Sequence, residues 1–200
     1  MVRLIILLLL CLSANAQTLT VDRISYVISD EAMLRNPNTY LHMFFVDAGE
    51  RGHDVTSARG GFNFFEGTGS VKGYSRRDAA CRGEFNIGLQ EHYWDNFDVN
   101  SAFISGATNL FEQRRFLAYH ELGHALFRFN HTCQGRDIIL GGSPLRLIDH
   151  DIMFSSRSCG NIRYSYTSVY SWRDQLDRMF SPGYQTQHPC NTSKGVIYDY

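Results

Sequence analysis

Residues 109–131 read Asn109-Leu110-Phe111-Glu112-Gln113-Arg114-Arg115-Phe116-Leu117-Ala118-Tyr119-His120-Glu121-Leu122-Gly123-His124-Ala125-Leu126-Phe127-Arg128-Phe129-Asn130-His131. Asn109 suits a helix N-cap, and Glu112 three positions on completes a capping-box-like pair. Phe116, Leu117, Ala118, Leu122, Ala125, Leu126 and Phe129 spread apolar character over more than one side of the helix. Such a helix belongs in the middle of a domain. Yet its apolar part carries His120, Glu121 and His124.

His120 and His124 are four residues apart, so on a helix both imidazoles project from one face. Two neutral imidazole nitrogens about 2.0–2.1 Å from a shared ion suit zinc, which accepts tetrahedral geometry and does no redox chemistry. Glu121 follows the first of them directly. Its carboxylate falls beside the metal, where it can take a proton from zinc-bound water and pass it to a leaving amine. Zinc lowers the pKa of that water to about 7 and polarises a carbonyl. As ordinary core residues, His-Glu-His would need several polar partners in a dry interior, so metal binding is the expectation.

A catalytic zinc needs a third protein ligand and an open fourth position. No glutamate follows Glu121 anywhere in the chain, which leaves His131, His150, His188 and the downstream aspartates. His131 is nearest and is favoured on reach and ligand type. His150, in Asp149-His150-Asp151, is its main competitor; the plain reading of that triplet is a solvated charge cluster.

These residues resemble the metzincin clan of zinc peptidases. In that clan a third histidine follows H-E-x-x-H shortly after a helix-breaking glycine, and a methionine turn lies beneath the zinc. Here Phe127 stands at the glycine position, and His131 comes one residue late, giving H-E-x-x-H-x6-H. Asn130 is expected to supply the left-handed turn instead. Asp151-Ile152-Met153 resembles the methionine turn, with Ser155 where some members carry tyrosine; the less favoured reading is that Met153 merely fills core space. Tyr164, Tyr166 and Tyr170 follow; they read better as one face of a strand than as an oxyanion donor. The likeness covers about residues 110–155.

The resemblance implies an α+β zincin domain: a twisted mixed sheet packed on a central active-site helix, then a mostly loop C-terminal subdomain ending in a helix. It also implies a peptidase with Glu121 as general base and Zn2+ held by His120, His124 and His131. An extended peptide would lie beside a sheet edge as an added strand, with Phe85 to Leu89 the candidate strand near that cleft. Residues 17–35 hold no cysteine and read as a strand, so no inhibitory propeptide is expected and the enzyme should be active once metallated.

The rest of the chain fits this frame. Residues 1–16 combine Arg3, the apolar run Leu4 to Leu12 and Ser13-Ala14-Asn15-Ala16, the pattern of a cleaved secretory signal. Residues 17–200 then form one domain, extracellular or periplasmic, expected to be monomeric. A net charge of −1 gives no reason to expect nucleic acid or an anionic membrane as partner, and an aromatic content of 14% argues against disorder. Cys81, Cys133, Cys159 and Cys190 suggest two disulfides; of three possible pairings, Cys133–Cys159 with Cys81–Cys190 is preferred.

Residues 19–28 read as one strand, Asn36-Pro37 as a helix start, and 60–74 as a glycine-rich strand with turns. Residues 85–89 read as a half-buried strand. After the central helix the chain reads as loop through Gly141-Gly142-Ser143-Pro144. A last helix spans about Ser171 to Phe180 and stops at Ser181-Pro182-Gly183. Two alternatives to the peptidase remain: a non-catalytic secreted protein whose zinc orders a partner-binding cleft, and a hydrolase of non-peptide amides.

Overall fold

The computed structural model describes residues 18–21, 23–27, 29–67, 69–100, 107–132, 135–140, 143–155, 164–169, 171–183, 187, 190 and 196–199. Residues 1–16, expected to be a secretory signal, and Cys133, Cys159, Tyr170 and His188 lie outside them.

β1 (Thr18–Val21) and β2 (Ile24–Val27) pair antiparallel, with Val21 opposite Ile24. The stretch expected as one strand is therefore a hairpin. Arg23 takes φ 64° there, as a two-residue turn of this kind requires. After α1 (Glu31–Arg35), the Asn36 side chain caps α2 (Pro37–Gly49) by accepting from the Asn38 amide at 3.0 Å. Pro37 fills the first helical position, where its missing N–H costs nothing. Tyr40 and Phe44 are buried, and Phe45 is half-buried against the same core.

The main sheet runs in the order β3 (Arg59–Phe65), β5 (Glu84–Gln90), β4 (Gly73–Arg76), β9 (Val196–Asp199). β3 is parallel to β5, while β4 is antiparallel to both of its neighbours. Phe85, Ile87 and Leu89 are buried as the alternation requires, and Gln90 and Gly88 are buried too. A strand covered on both faces is an interior one. Within the sheet β5 lies between β3 and β4.

α3 (Arg77–Ala80) and α4 (Glu91–Asp95) lead to the long helix α5 (Leu110–Phe127), which packs against α2, β4 and β5. Asn109 accepts from the Glu112 amide at 3.0 Å, and Glu112 accepts in return from the Thr108 amide at 2.7 Å, one residue earlier than a strict capping box. Leu117, Ala118, Tyr119 and Leu122 are fully buried. Each buried leucine contributes about 1.5–3 kcal/mol. Among the polar residues buried on this helix, Gln113 and Arg114 are matched by hydrogen bonds. Gln113 donates to the carbonyls of Tyr93 and Asn96; Arg114 donates to the Trp94 carbonyl at 2.6 Å and to Glu31 at 2.7 Å. The end of α4 thereby gains partners for its last carbonyls, which is what lets these side chains be buried.

The C-terminal part departs from expectation. Rather than mostly loop, it holds a three-stranded sheet of β6 (Gly135–Leu140), β7 (Ser143–His150) and β8 (Tyr164–Val169), and its last element is the strand β9, not a helix. Leu140 pairs with Ser143, leaving two glycines between the strands, and Gly-Gly is a hairpin signal as much as a loop signal. Tyr164 and Tyr166 belong to β8, as the strand reading required. α6 (Trp172–Met179) starts on a Ser171 cap and is followed by Gly183 at φ 75°. Cys81 and Cys190 form a disulfide. The fold is mixed α+β, as expected. Among the described residues no helix is long and apolar enough to cross a membrane.

Candidate metal centre

His120, Glu121 and His124 lie on the last turns of α5, and all three are buried to within 1%. Nδ1 of His120 donates to the Ile152 carbonyl at 2.5 Å, and Nδ1 of His124 donates to the Phe129 carbonyl at 2.5 Å. A carbonyl can only accept, so Nδ1 of both rings carries a proton, and in a neutral ring Nε2 is then the lone pair. Those Nε2 atoms stand 3.0 Å apart, and His131 brings its own Nε2 to 3.0 Å from that of His124. The rings of His120 and His124 meet at 77°, and those of His124 and His131 at 83°.

Imidazole nitrogens this close to one another are favourable only around a shared proton or a cation. Ligands held tetrahedrally about 2.0–2.1 Å from an ion lie roughly 3.3 Å from one another, close to the two 3.0 Å spacings here, and the three nitrogens all lie within 4.8 Å of one another. The three histidines are positioned to bind a metal ion. Glu121 agrees with this, because a fully buried carboxylate is much less costly beside a cation. His131 is only half-buried, so the centre opens on its side.

The chain reaches His131 by an abrupt helix end. Arg128 takes the left-handed conformation at φ 59°; its amide returns to the His124 carbonyl, and the Phe129 amide returns to that of Gly123. The left-handed residue is therefore Arg128, not Asn130. The reversal has to follow directly on Phe127, where the helix stops. Arg128 is held there by donating to Gln187 Oε1 at 3.1 Å and to Cys190 Sγ at 2.8 Å.

Residues 151–154 form a turn beneath the site, with the Phe154 amide on the Asp151 carbonyl at 3.0 Å. Asp151 Oδ1 accepts from the Met153 amide at 2.9 Å and from Thr132 Oγ1 at 2.8 Å, while the Thr132 amide reaches the Met153 carbonyl at 2.9 Å. One turn thus orients His120, through Ile152, and anchors the segment carrying His131. Asp151 belongs to this scaffold; the cluster itself contains only histidines among the described residues. Met153 packs under Gly123, where a Cβ would meet its Sδ at 2.5 Å. Ser155 is fully buried. His150 ends β7, and its side chain lies outside the described residues.

Two contributors escaped the sequence reading. Gly73 of β4 lies against Glu121, and a Cβ there would stand 2.7 Å from Oε1. Gly123, between His120 and His124, makes room for Met153 and Met179. A glycine inside an apolar helical pattern was a usable signal for the second. The first had none. No protein-family model, curated protein or solved structure matches this chain.

Proposed function

We propose that the chain is a secreted zinc-dependent endopeptidase of metzincin-like design. The observation that carries this reading is the approach of Nε2 of His131, from just beyond the helix, to those of His120 and His124 on it, with the buried Glu121 next to His120 in sequence and the Nδ1 protons of His120 and His124 held by backbone carbonyls. Zinc bound by His120, His124 and His131 would polarise a scissile carbonyl and acidify a water.

The chain's own residues supply the rest. The carbonyls of Ile152 and Phe129 hold the Nδ1 protons, which raises the basicity of the ligating nitrogens and fixes the planes of the rings. Glu121 takes a proton from the attacking water on its carboxylate and delivers it to the leaving amide nitrogen. β4, antiparallel within the sheet and lying against Glu121 through Gly73, is the strand beside which an extended peptide would run, on the edge that β9 pairs with in this structure.

The test is zinc analysis paired with casein cleavage. Wild type should hold one zinc per chain and lose hydrolysis to a chelator. Glu121→Gln should retain zinc and fall about 10²–10⁴-fold in rate. Hydrolysis that survives in Glu121→Gln removes Glu121 as the base, and chelator-insensitive hydrolysis removes the metal mechanism.

A further inference from the structure

β4 has β5 on one side and β9 on the other. β9 lies antiparallel to it, with Gly73 opposite Asp199, Tyr74 opposite Tyr198, Ser75 opposite Ile197 and Arg76 opposite Val196. Gly73 is the residue whose backbone abuts Glu121. Adjacent strands are about 4.7–4.9 Å apart, so Asp199 runs past the residue that touches the glutamate at the distance an extended peptide on this edge would take. Anything docked as a strand on the outer side of β4 would meet β9 first.

β9 is also a segment suited to leaving. It is four residues long, stands at the sheet edge, and is separated by five residues from Cys190. Cys190 is fixed to the body through Cys81 and through Arg128, the residue that ends the active-site helix. A strand this short is held weakly by its own ladder, but a short tether raises its local concentration to the order of millimolar.

We propose that the outer edge of β4 is a docking strand for extended peptides, and that Val196–Asp199 is its intramolecular occupant, displaced when a peptide binds. The inference rests on the peptidase reading for the role of the cleft, and it replaces the expectation of an enzyme active as soon as it is metallated.

The experiment uses Glu121→Gln protein, so that hydrolysis plays no part, and a fluorescein-labelled peptide with the sequence of residues 193–200. Protein ending at Gly195 should bind the peptide at least tenfold more tightly than the full chain, read by anisotropy. The full-length double variant Ile197→Pro/Tyr198→Pro keeps the disulfide and removes a ladder donor, so it should bind like the shortened chain. In the unaltered full chain, excess peptide should speed amide exchange at residues 196–199. Equal affinity with and without β9, no binding by either, or protection at 196–199 that persists with peptide bound would overturn the proposal. Should the shortened chain lose its fold, seen as lost zinc and lost circular dichroism, the proline variant and the exchange experiment decide. If the affinity difference is found but the protein with Glu121 intact never cleaves peptide, the peptidase reading alone falls. One that cleaves casein equally well with and without β9, at equal peptide affinity, sinks this inference alone.

Discussion

Gly73 of β4 and Glu121 of α5 are in van der Waals contact across the sheet–helix interface: a Cβ at position 73 would stand 2.7 Å from Oε1 of Glu121 and 3.0 Å from Leu117 Cδ1. The absence of a side chain is what lets the glutamate sit where it does. Gly73→Ala should therefore lower kcat at least tenfold with zinc content unchanged, since small displacements of a catalytic group are costly. Gly69→Ala, where a Cβ meets nothing within 4 Å, serves as the control. Equal rates for the two variants would show that the contact is irrelevant to catalysis.

Asp151 Oδ1 joins the Met153 amide to the Thr132 hydroxyl, and so joins the turn that orients His120 to the segment bearing His131. Asp151→Ala should weaken zinc binding about 10–100-fold, the usual effect of removing a group that positions metal ligands. Asp151→Asn, which keeps an acceptor oxygen, should lose less. Competition against a chromophoric chelator measures both, and an undiminished affinity in Asp151→Ala would refute the role.

Gly123 is crowded by Met153 Sδ and Met179 Cε, which lie 2.5 and 2.6 Å from where an alanine methyl would stand. Alanine is a better helix former by about 1 kcal/mol, but overpacking a filled core costs about 1–3 kcal/mol. Gly123→Ala should accordingly be neutral to destabilised, with reduced zinc affinity. Adding Met179→Ala, which alone leaves a cavity, should give a double variant more stable than the sum of the two changes implies. Additive denaturation midpoints would mean that the two sites do not meet.

Burial lifts the Asp47 carboxyl above its ordinary 3.8, against the lowering effects of the Tyr119 hydroxyl, which donates to it at 2.5 Å, and of Arg51. A carboxyl raised in the folded state keeps a proton that the unfolded chain has already released. Its contribution to stability therefore declines as pH rises through the acidic range above 3.8 and is level beyond the raised value. The difference in Tm between wild type and Asp47→Asn should fall over that range and then flatten. Parallel profiles would contradict it.

The local signals were legible because local chemistry made them. Asn36-Pro37, Asn109 with Glu112, and Ser171 start their helices through bonds that span two to four residues, and each of these helices is found at those starts. The four-residue spacing of His120 and His124 gives a common face on any helix, and the nearest downstream histidine is the one that joins them. Where the reading went astray, distant partners decided the outcome. Phe85 to Leu89 alternates like any half-covered strand, and only the neighbours β3 and β4 make it an interior one.

By itself the sequence determined the helix, its cap, the two histidines on one face and the glutamate between them in sequence, since spacing and side-chain type are sufficient for those. Only the tertiary structure decided what surrounds them: the Ile152 carbonyl on His120, Asp151 bracing Thr132, Gly73 against Glu121 and β9 along β4. Those arrangements are made largely by backbone groups and by the absence of a side chain, and they join residues 19 to 126 positions apart. A carbonyl looks the same in every residue, so its partner is fixed by the packing of the folded chain and leaves no mark in the order of the side chains.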